Sequence, residues 1–325
     1  MPAVRCYVMR SGRLVPLDGG TPILPSPGGG SGSPPPTPGG TGMLQGCSVS
    51  TGRPHFDAIE PAAGPYSCCR TYNSGGFAAN WAADVAGPDV GVRASVYSAK
   101  PSLSAMASGA LDAQVTAFIR SIPDSHVAHV TIWHEPDVKL RNSTPTAPFD
   151  VALWRSAFQR FCELVKAVGK PHVYTNLILT NWSLIGGVST GLPDEFWVGP
   201  TGSDRLIDVV GWDAYMLHNT VTSGAHEFGP IVDYCDSKGA AWAIGELGIR
   251  AAVTDISAGA TWMHTQADYA VANGAGPHGS AAYLCWFDFT ASAPNIPVPS
   301  GNSTFTAASA AIAAQYHTPY TAFVL

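Results

Sequence analysis

The sequence predicts an α/β protein, a (β/α)8 TIM barrel carried behind a short N-terminal β-hairpin-like module on a Pro/Gly-rich linker. Three observations lead there. From residue 44 onward, eight short runs are apolar on both faces, as parallel strands covered by helices are. Segments of helical period lie between several of them. The eight repeats occupy about 280 residues, the length of one such barrel. The structural alternative is an open, doubly wound sheet. No G-x-G-x-x-G or Walker loop follows a strand, so the nucleotide-binding form of that alternative has no support.

Residues 1–22 form a small docking module. The runs Val4-Arg5-Cys6-Tyr7-Val8-Met9-Arg10 and Arg13-Leu14-Val15-Pro16-Leu17 alternate and flank a Ser11-Gly12 turn. A lone hairpin is not stable in water, so this one is expected to dock on another subunit, another chain or the main domain. Residues 23–43 are nearly all Pro, Gly, Ser and Thr, a linker that is flexible in its Gly parts and extended at Pro34-Pro35-Pro36. Residues 44–325 form the barrel.

The eight strands are expected at 46–50, 67–72, 92–98, 127–134, 172–180, 207–213, 241–246 and 282–288. Leu111, Val115, Phe118, Ile119 and Ile122 make one amphipathic helix face. Trp154, Phe158, Phe161, Cys162, Val165 and Val168 make another, with Asp150 as N-cap and Gly169 as stop. Phe228, Ile231, Val232 and Cys235 form a helix ending near Gly239. Trp262, Gln266, Tyr269 and Ala270 mark the next, and residues 307–315 the last. The crossovers between residues 51 and 91 have no clear pattern.

Hydrophobic residues make up 46% of the chain and charged residues 12%, which supports a large core. A net charge of −6 gives no electrostatic case for nucleic acid or an anionic membrane, and points to an uncharged or weakly charged ligand. Nine Trp and eleven Tyr are enough to supply flat faces for sugar rings as well as core. The seven cysteines include no Cys-x-x-Cys, so no zinc site is expected. They read as mostly reduced and buried, with a disulfide left open. No stretch is long enough for a transmembrane helix. The first residues lack the apolar core of a signal peptide. The expected location is a virion tail if the chain is phage-encoded, and otherwise the cytoplasm.

Two short segments carry the chemistry. Thr131-Ile132-Trp133-His134-Glu135-Pro136-Asp137 and Trp242-Ala243-Ile244-Gly245-Glu246-Leu247 each place a glutamate at the downstream end of an apolar strand. Either alone could be a loop-edge residue held by a nearby Arg or Lys. Together, on the rims of two strands, they are what retaining glycoside hydrolysis requires, one as acid/base and one as nucleophile. Glu135 needs a raised pKa, which the second carboxylate and the apolar flank of Trp133 would give it. Ser-His-Asp hydrolysis lacks a G-x-S-x-G elbow, and metal hydrolysis lacks H-E-x-x-H because Pro136 follows Glu135. Neither metal nor cofactor is expected.

With Glu135 ending strand four and Glu246 strand seven, the chain resembles the large glycoside hydrolase superfamily whose catalytic glutamates stand on barrel strands four and seven. Most members have Asn before the acid/base. The Trp133-His134-Glu135-Pro136 of this chain is similar to the β-mannanase-like branch. The resemblance implies Glu135 as general acid/base and Glu246 as nucleophile. It implies that Tyr215, just after strand six, hydrogen-bonds the nucleophile, and that Trp286 on strand eight stacks under the sugar. Arg70 on strand two is a candidate partner for Glu246, with a purely structural ion pair as the alternative. His134 would bind a hydroxyl or orient Glu135. Asp213 would bind a hydroxyl or cap the following loop. Lys100, after strand three, faces the cleft or solvent, and Trp182, after strand five, adds a subsite.

The expected function is therefore a retaining, endo-acting glycoside hydrolase cleaving a polysaccharide of a bacterial surface. The alternative is a non-catalytic carbohydrate-binding or structural tail protein with a glycosidase-like barrel. A docking module, a Pro/Gly linker and a glycosidase-like barrel also resemble the minor tail proteins of actinobacteriophages, whose partners would be other virion subunits. Mannan, another β-linked glycan and a mycobacterial-type wall polysaccharide remain open as substrates, because loop residues set the subsites.

Overall fold

Eight strands pair in parallel in the order of the sequence, and the last closes on the first. The computed structural model describes residues 7–10, 13–16, 43–49, 53–82, 94–273, 281–288, 295–296, 298 and 300–316. The chain divides into two units, residues 1–37 and 38–325. In the first, β1 (Tyr7–Arg10) pairs antiparallel with β2 (Arg13–Pro16), with Arg10 opposite Arg13. The turn between them, and the linker expected over 23–43 apart from Met43, lie outside the described residues.

The second unit holds β3 (Leu44–Val49), β4 (Cys68–Asn73), β5 (Ala94–Ala99), β6 (Val127–Ile132), β7 (Val173–Thr180), β8 (Val209–Met216), β9 (Ala241–Arg250) and β10 (Tyr283–Asp288). β10 pairs with both β3 and β9, which removes both sheet edges. A two-residue β11 (Asn295–Ile296) runs antiparallel to the end of β9. This is the closed (β/α)8 barrel expected from the strand count.

Strand periodicity sorts the apolar residues into two layers. Leu44, Cys68, Val96, Ile178, Val209, Ala243, Tyr283 and Cys285 point inward and fill the barrel. Their neighbours, such as Cys69, Tyr97, Val130, Leu177, Trp212, Ile244 and Trp286, point outward against the helices. Burial on both faces explains why these strands read as continuous apolar runs. The six described cysteines are all buried free thiols, with the sulfurs of Cys68 and Cys285 3.8 Å apart.

Helices cover the outside: α1 (Arg53–Ala63), α2 (Leu103–Ala107), α3 (Asp112–Arg120), α4 (Pro136–Arg141), α5 (Val151–Val168), α6 (Trp182–Ile185), α7 (Pro193–Phe196), α8 (Gly224–Lys238), α9 (Ile256–Ala272) and α10 (Ser303–Tyr316). Asp150 caps α5 by accepting from the Leu153 amide at 2.9 Å, and Gly169 ends it at φ 71°. Ser223 and Asp255 cap α8 and α9 in the same way. Trp154, Phe158, Phe161, Cys162 and Val165 form the buried face of α5. Among the described residues, no helix is long and apolar enough to cross a membrane.

Most strand limits differ from the expectation by a residue or more, and three of the differences place a functional side chain. β6 stops at Ile132, so Glu135 lies beyond the strand, where Trp133 (φ 49°) and Glu135 (φ 54°) adopt left-handed backbone. β8 runs on to Met216, so Tyr215 is within the strand rather than after it. β9 runs on to Arg250, so Glu246 is inside its strand rather than at the end. The extension is paired on both sides, by β8 as far as Met216 and by β11.

Candidate active site

Inward-facing residues near the C-terminal ends of the strands build the site. β4 contributes Arg70 and Tyr72, two residues apart on one face. β8 contributes Asp213 and Tyr215 in the same way. β9 requires an irregularity to do so. Trp212 pairs with Ile244, but Asp213 pairs with Glu246, leaving Gly245 as an extra residue. Before this bulge the inward residues are Ala241 and Ala243, and after it Leu247 and Ile249 face the outer layer. The inserted residue inverts the alternation and turns Glu246 toward the barrel axis. Only glycine fits at the bulge, since a Cβ on Gly245 would lie 2.3 Å from Asp213 Oδ1 and 2.7 Å from Arg70 Nη1. Gly248 has the same role one step on, leaving room for the Tyr215 ring, 2.4 Å from where a Cβ would be.

Glu246 is enclosed by donors. Tyr72 donates to Oε1 at 2.5 Å, Tyr215 donates to Oε2, and Arg70 Nη2 lies 3.4 Å from Oε1. Arg70 is fully buried and also pairs with both oxygens of Asp213, Nη1 to Oδ1 at 2.8 Å and Nη2 to Oδ2 at 3.4 Å. Burial opposes the charge of this guanidinium. The charges of Asp213, Tyr72 and Glu246 outweigh that and hold its pKa above the usual arginine range. Burial likewise raises Tyr72 and Tyr215, with the Glu246 charge adding to it, so both remain protonated donors. The assembly is a buried, hydrogen-bonded cluster around one guanidinium that fixes the orientation of the Glu246 carboxylate.

Glu135 stands opposite in a different environment. Its carboxyl is pushed up to about 7, first by burial, then by the charges of Glu246 and Asp137, with Arg70 and Lys139 pulling the other way. The chain around it is fixed. The Glu135 amide donates to Ile178 O at 2.9 Å, and Pro136 starts α4 immediately afterwards. Asp137, fully buried, accepts from the Thr180 amide at 3.0 Å, the Thr180 hydroxyl at 2.5 Å and Arg141 at 3.1 Å. This clamp ties the turn after β6 to the end of β7. A non-glycine residue with positive φ is strained, and such strain collects at functional sites where surrounding contacts hold it.

Carboxylate oxygens of Glu135, Asp213 and Glu246 all lie within 4.8 Å of one another. Three acids so close are the one place among the described residues where a cation could be held. The donor set fits one poorly, since both Asp213 oxygens are taken by Arg70 and both Glu246 oxygens by Tyr72, Tyr215 and Arg70. An ion there would also face the guanidinium.

The acids line a cavity of about 760 Å³ together with Tyr72, His134, Val138, Arg141, Trp182 and Phe287, among others. The expected residues Glu135, Glu246, His134, Asp213, Tyr215 and Trp182 thus meet on one surface, and Arg70 lies beneath it. Burial first, then the charges of Arg70, Lys139 and Lys100, hold His134 well below the usual histidine range, so its imidazole is neutral. It packs edge-on to Tyr72, 5.1 Å between ring centroids. Trp182 is 44% exposed at the mouth. Lys100 and Trp133 lie in an adjoining side cavity rather than in the main one. The indole face of Trp133 is covered by the Lys100 ammonium, 4.7 Å from its centroid.

Trp286 is misplaced by the sequence reading. It is fully buried in the outer layer between strands and helices, so it cannot stack under a ligand. Strand parity is the reason: Tyr283 and Cys285 point inward, which sends Trp286 outward and leaves Phe287 to line the cavity. Tyr72, Asp137, Gly245 and Phe287 were missed. Parity from Arg70 would have found Tyr72, and the Gly before Glu246 in a strand is a bulge signal.

No protein-family model matches the sequence, and no curated protein matches it. Solved structures do match in fold. One is a modular endo-β-1,4-mannanase of glycoside hydrolase family 26 from Cellulomonas fimi, 13% identical, covering 87% of this chain and 74% of its own, with TM-score 0.53. Another is a family 128 endo-β-1,3-glucanase from Amycolatopsis mediterranei, 12% identical, covering 83% and 99%, with TM-score 0.52. At these identities the likeness is one of fold alone, that of (β/α)8 barrels.

Proposed function

We propose that the chain is a retaining glycoside hydrolase that cleaves a β-linked polysaccharide with Glu135 as acid/base and Glu246 as nucleophile. One observation carries the reading: two glutamates with oxygens within 4.8 Å of each other, in opposite environments. Retaining pairs stand about 5–5.5 Å apart, whereas inverting pairs leave about 6.5–9.5 Å for a water.

In the first step the Glu246 carboxylate attacks the anomeric carbon while Glu135 gives its proton to the departing glycosidic oxygen. The C–O bond breaks and a glycosyl ester of Glu246 forms. In the second step Glu135, now ionised, takes a proton from water, which attacks the same carbon and releases Glu246. A carboxyl poised at about 7 suits both donation and acceptance. Tyr72, Tyr215 and Arg70 hold the nucleophile for in-line approach, and His134 and Trp182 bind the glycan.

Endo action is supported by the shape of the cleft. The main cavity shares Tyr72 and His134 with the side cavity, and Trp182, Tyr215 and Leu217 with a further cavity of about 450 Å³ on the other side. In this reading the glycan would run past the acids toward both adjoining cavities. The β1–β2 hairpin is proposed as an attachment module to a larger assembly of the phage-tail type, tethering the barrel near a bacterial surface at high effective concentration.

The test is a screen of the purified full chain against bacterial-wall and plant polysaccharides, read by reducing ends, with Glu135→Gln and Glu246→Gln alongside. The reading expects at least one glycan to be cut by the parent and by neither variant. Cleavage retained in Glu246→Gln would remove the nucleophile assignment. Binding without turnover in the parent would favour the non-catalytic carbohydrate-binding alternative.

A further inference from the structure

The side cavity next to the two acids has an unusual lining. It measures about 130 Å³ and is bounded by Tyr72, Ser98, Lys100, Trp133, His134 and Lys139, among others, with no Asp or Glu. Lys100 follows β5 directly, and Lys139 lies one turn into α4, four residues after Glu135. Neither lysine has a carboxylate partner among the described residues. In a chain with 17 basic and 23 acidic residues, two unpaired cations sharing one small cavity need a reason.

Both lysines are exposed to solvent, and two further details tie them to the cavity. The Lys100 ammonium is seated on the Trp133 ring, and that ring is itself anchored by its N–H donating to Pro101 O at 2.6 Å. At the inner end the Ser98 hydroxyl is buried without a hydrogen-bond partner. An unsatisfied buried hydroxyl is costly, and an acceptor entering between the lysines would relieve it.

We propose that this side cavity is a subsite for an anionic sugar, a glycan residue carrying a uronic-type carboxylate, bound beside the sugar whose linkage is broken. The carboxylate would take charge-assisted hydrogen bonds from Lys100 and Lys139 and one from Ser98 Oγ. The proposal departs from the expectation of an uncharged or weakly charged ligand, because a locally basic cavity can outweigh an acidic average. It rests on the glycoside hydrolase reading, but its test does not require turnover.

The test uses the full chain carrying Glu246→Gln, titrated calorimetrically with oligosaccharides of polymannuronate, glucuronan and hyaluronate. Each is paired with its own carboxyl-reduced, neutral counterpart. At least one anionic member should bind tenfold or more tighter than its counterpart at low salt. That ratio should fall as salt is raised and collapse toward one in Lys100→Met/Lys139→Met, with Ser98→Ala lowering it in part. Equal binding within every pair, or a preference that survives the double substitution, would overturn the proposal. So would lysine-dependent binding of a sulfated laminarin with none of any uronate. Absence of hydrolysis by the parent would count against the catalytic reading and leave the binding ratio to be judged on its own.

Discussion

Asp213 and Glu246 lie directly opposite each other on β8 and β9, although their neighbours Trp212 and Ile244 pair one residue out of step. The slip at Gly245 is what brings the two acids to one guanidinium, Arg70. Without the extra residue, Leu247 would face the cavity and Glu246 the helices.

Gly245→Ala is therefore expected to disrupt the site from within. The added methyl would overlap Asp213 and Arg70, and overpacking costs typically about 1–3 kcal/mol. Displacing the Arg70 pair leaves buried charge and raises the cost further. A lowered urea midpoint together with loss of activity checks this. A variant with parental stability and rate would contradict the bulge assignment.

The raised Glu135 carboxyl has consequences in two directions. Hydrolysis needs it protonated, so kcat/KM should fall about tenfold per pH unit above about 7. Stability has its own sign. The folded state holds this proton up to about 7 and the unfolded chain only to 4.5, so the folded state loses stability as pH rises through that window. Glu135→Gln removes the loss and should be more stable than the parent at pH 8 by up to about 3 kcal/mol, with little difference at pH 4. Urea midpoints of both proteins at the two pH values measure it, and a gap that does not widen with pH would refute it.

Two tryptophans expected at subsites should behave oppositely. Trp182→Ala, at an exposed position, should change stability by no more than about 0.5 kcal/mol and raise KM several-fold. Trp286→Ala should cost about 3–5 kcal/mol, as removal of a buried aromatic does. Thermal melts and Michaelis plots of the two variants separate surface from core.

Tyr72→Phe and Tyr215→Phe each remove one hydrogen bond to the nucleophile. A hydrogen bond to a charged group contributes about 1.5–3 kcal/mol, so kcat should drop about 10- to 100-fold in each, with KM little changed. The double variant should lose more than either alone. Equal kcat in parent and Tyr215→Phe would show that this contact does not orient Glu246.

The barrel was legible in the sequence because its strands are buried on both faces, and eight apolar runs at barrel spacing leave few other folds. Glu135 and Glu246 were legible because a carboxylate beside such an apolar run is costly without a function. What could not be read was which way each side chain points. Parity can be counted only from a side chain known to point inward, so Trp286 reads as a cleft residue and Tyr72 as an ordinary strand residue. Glu246 would have been misassigned by parity alone, because the bulge at Gly245 reverses it. The Asp137–Thr180 clamp joins residues 43 apart in sequence, and no local pattern announces it.

The most direct measurement follows the product by proton NMR from the first seconds of hydrolysis of a glycan that the parent cleaves. A covalent ester on Glu246 inverts the anomeric carbon twice, so the sugar first released should carry the configuration of the bond that was cut. Release of the opposite anomer would mean a single displacement by water and would contradict the assignment of Glu246 as nucleophile.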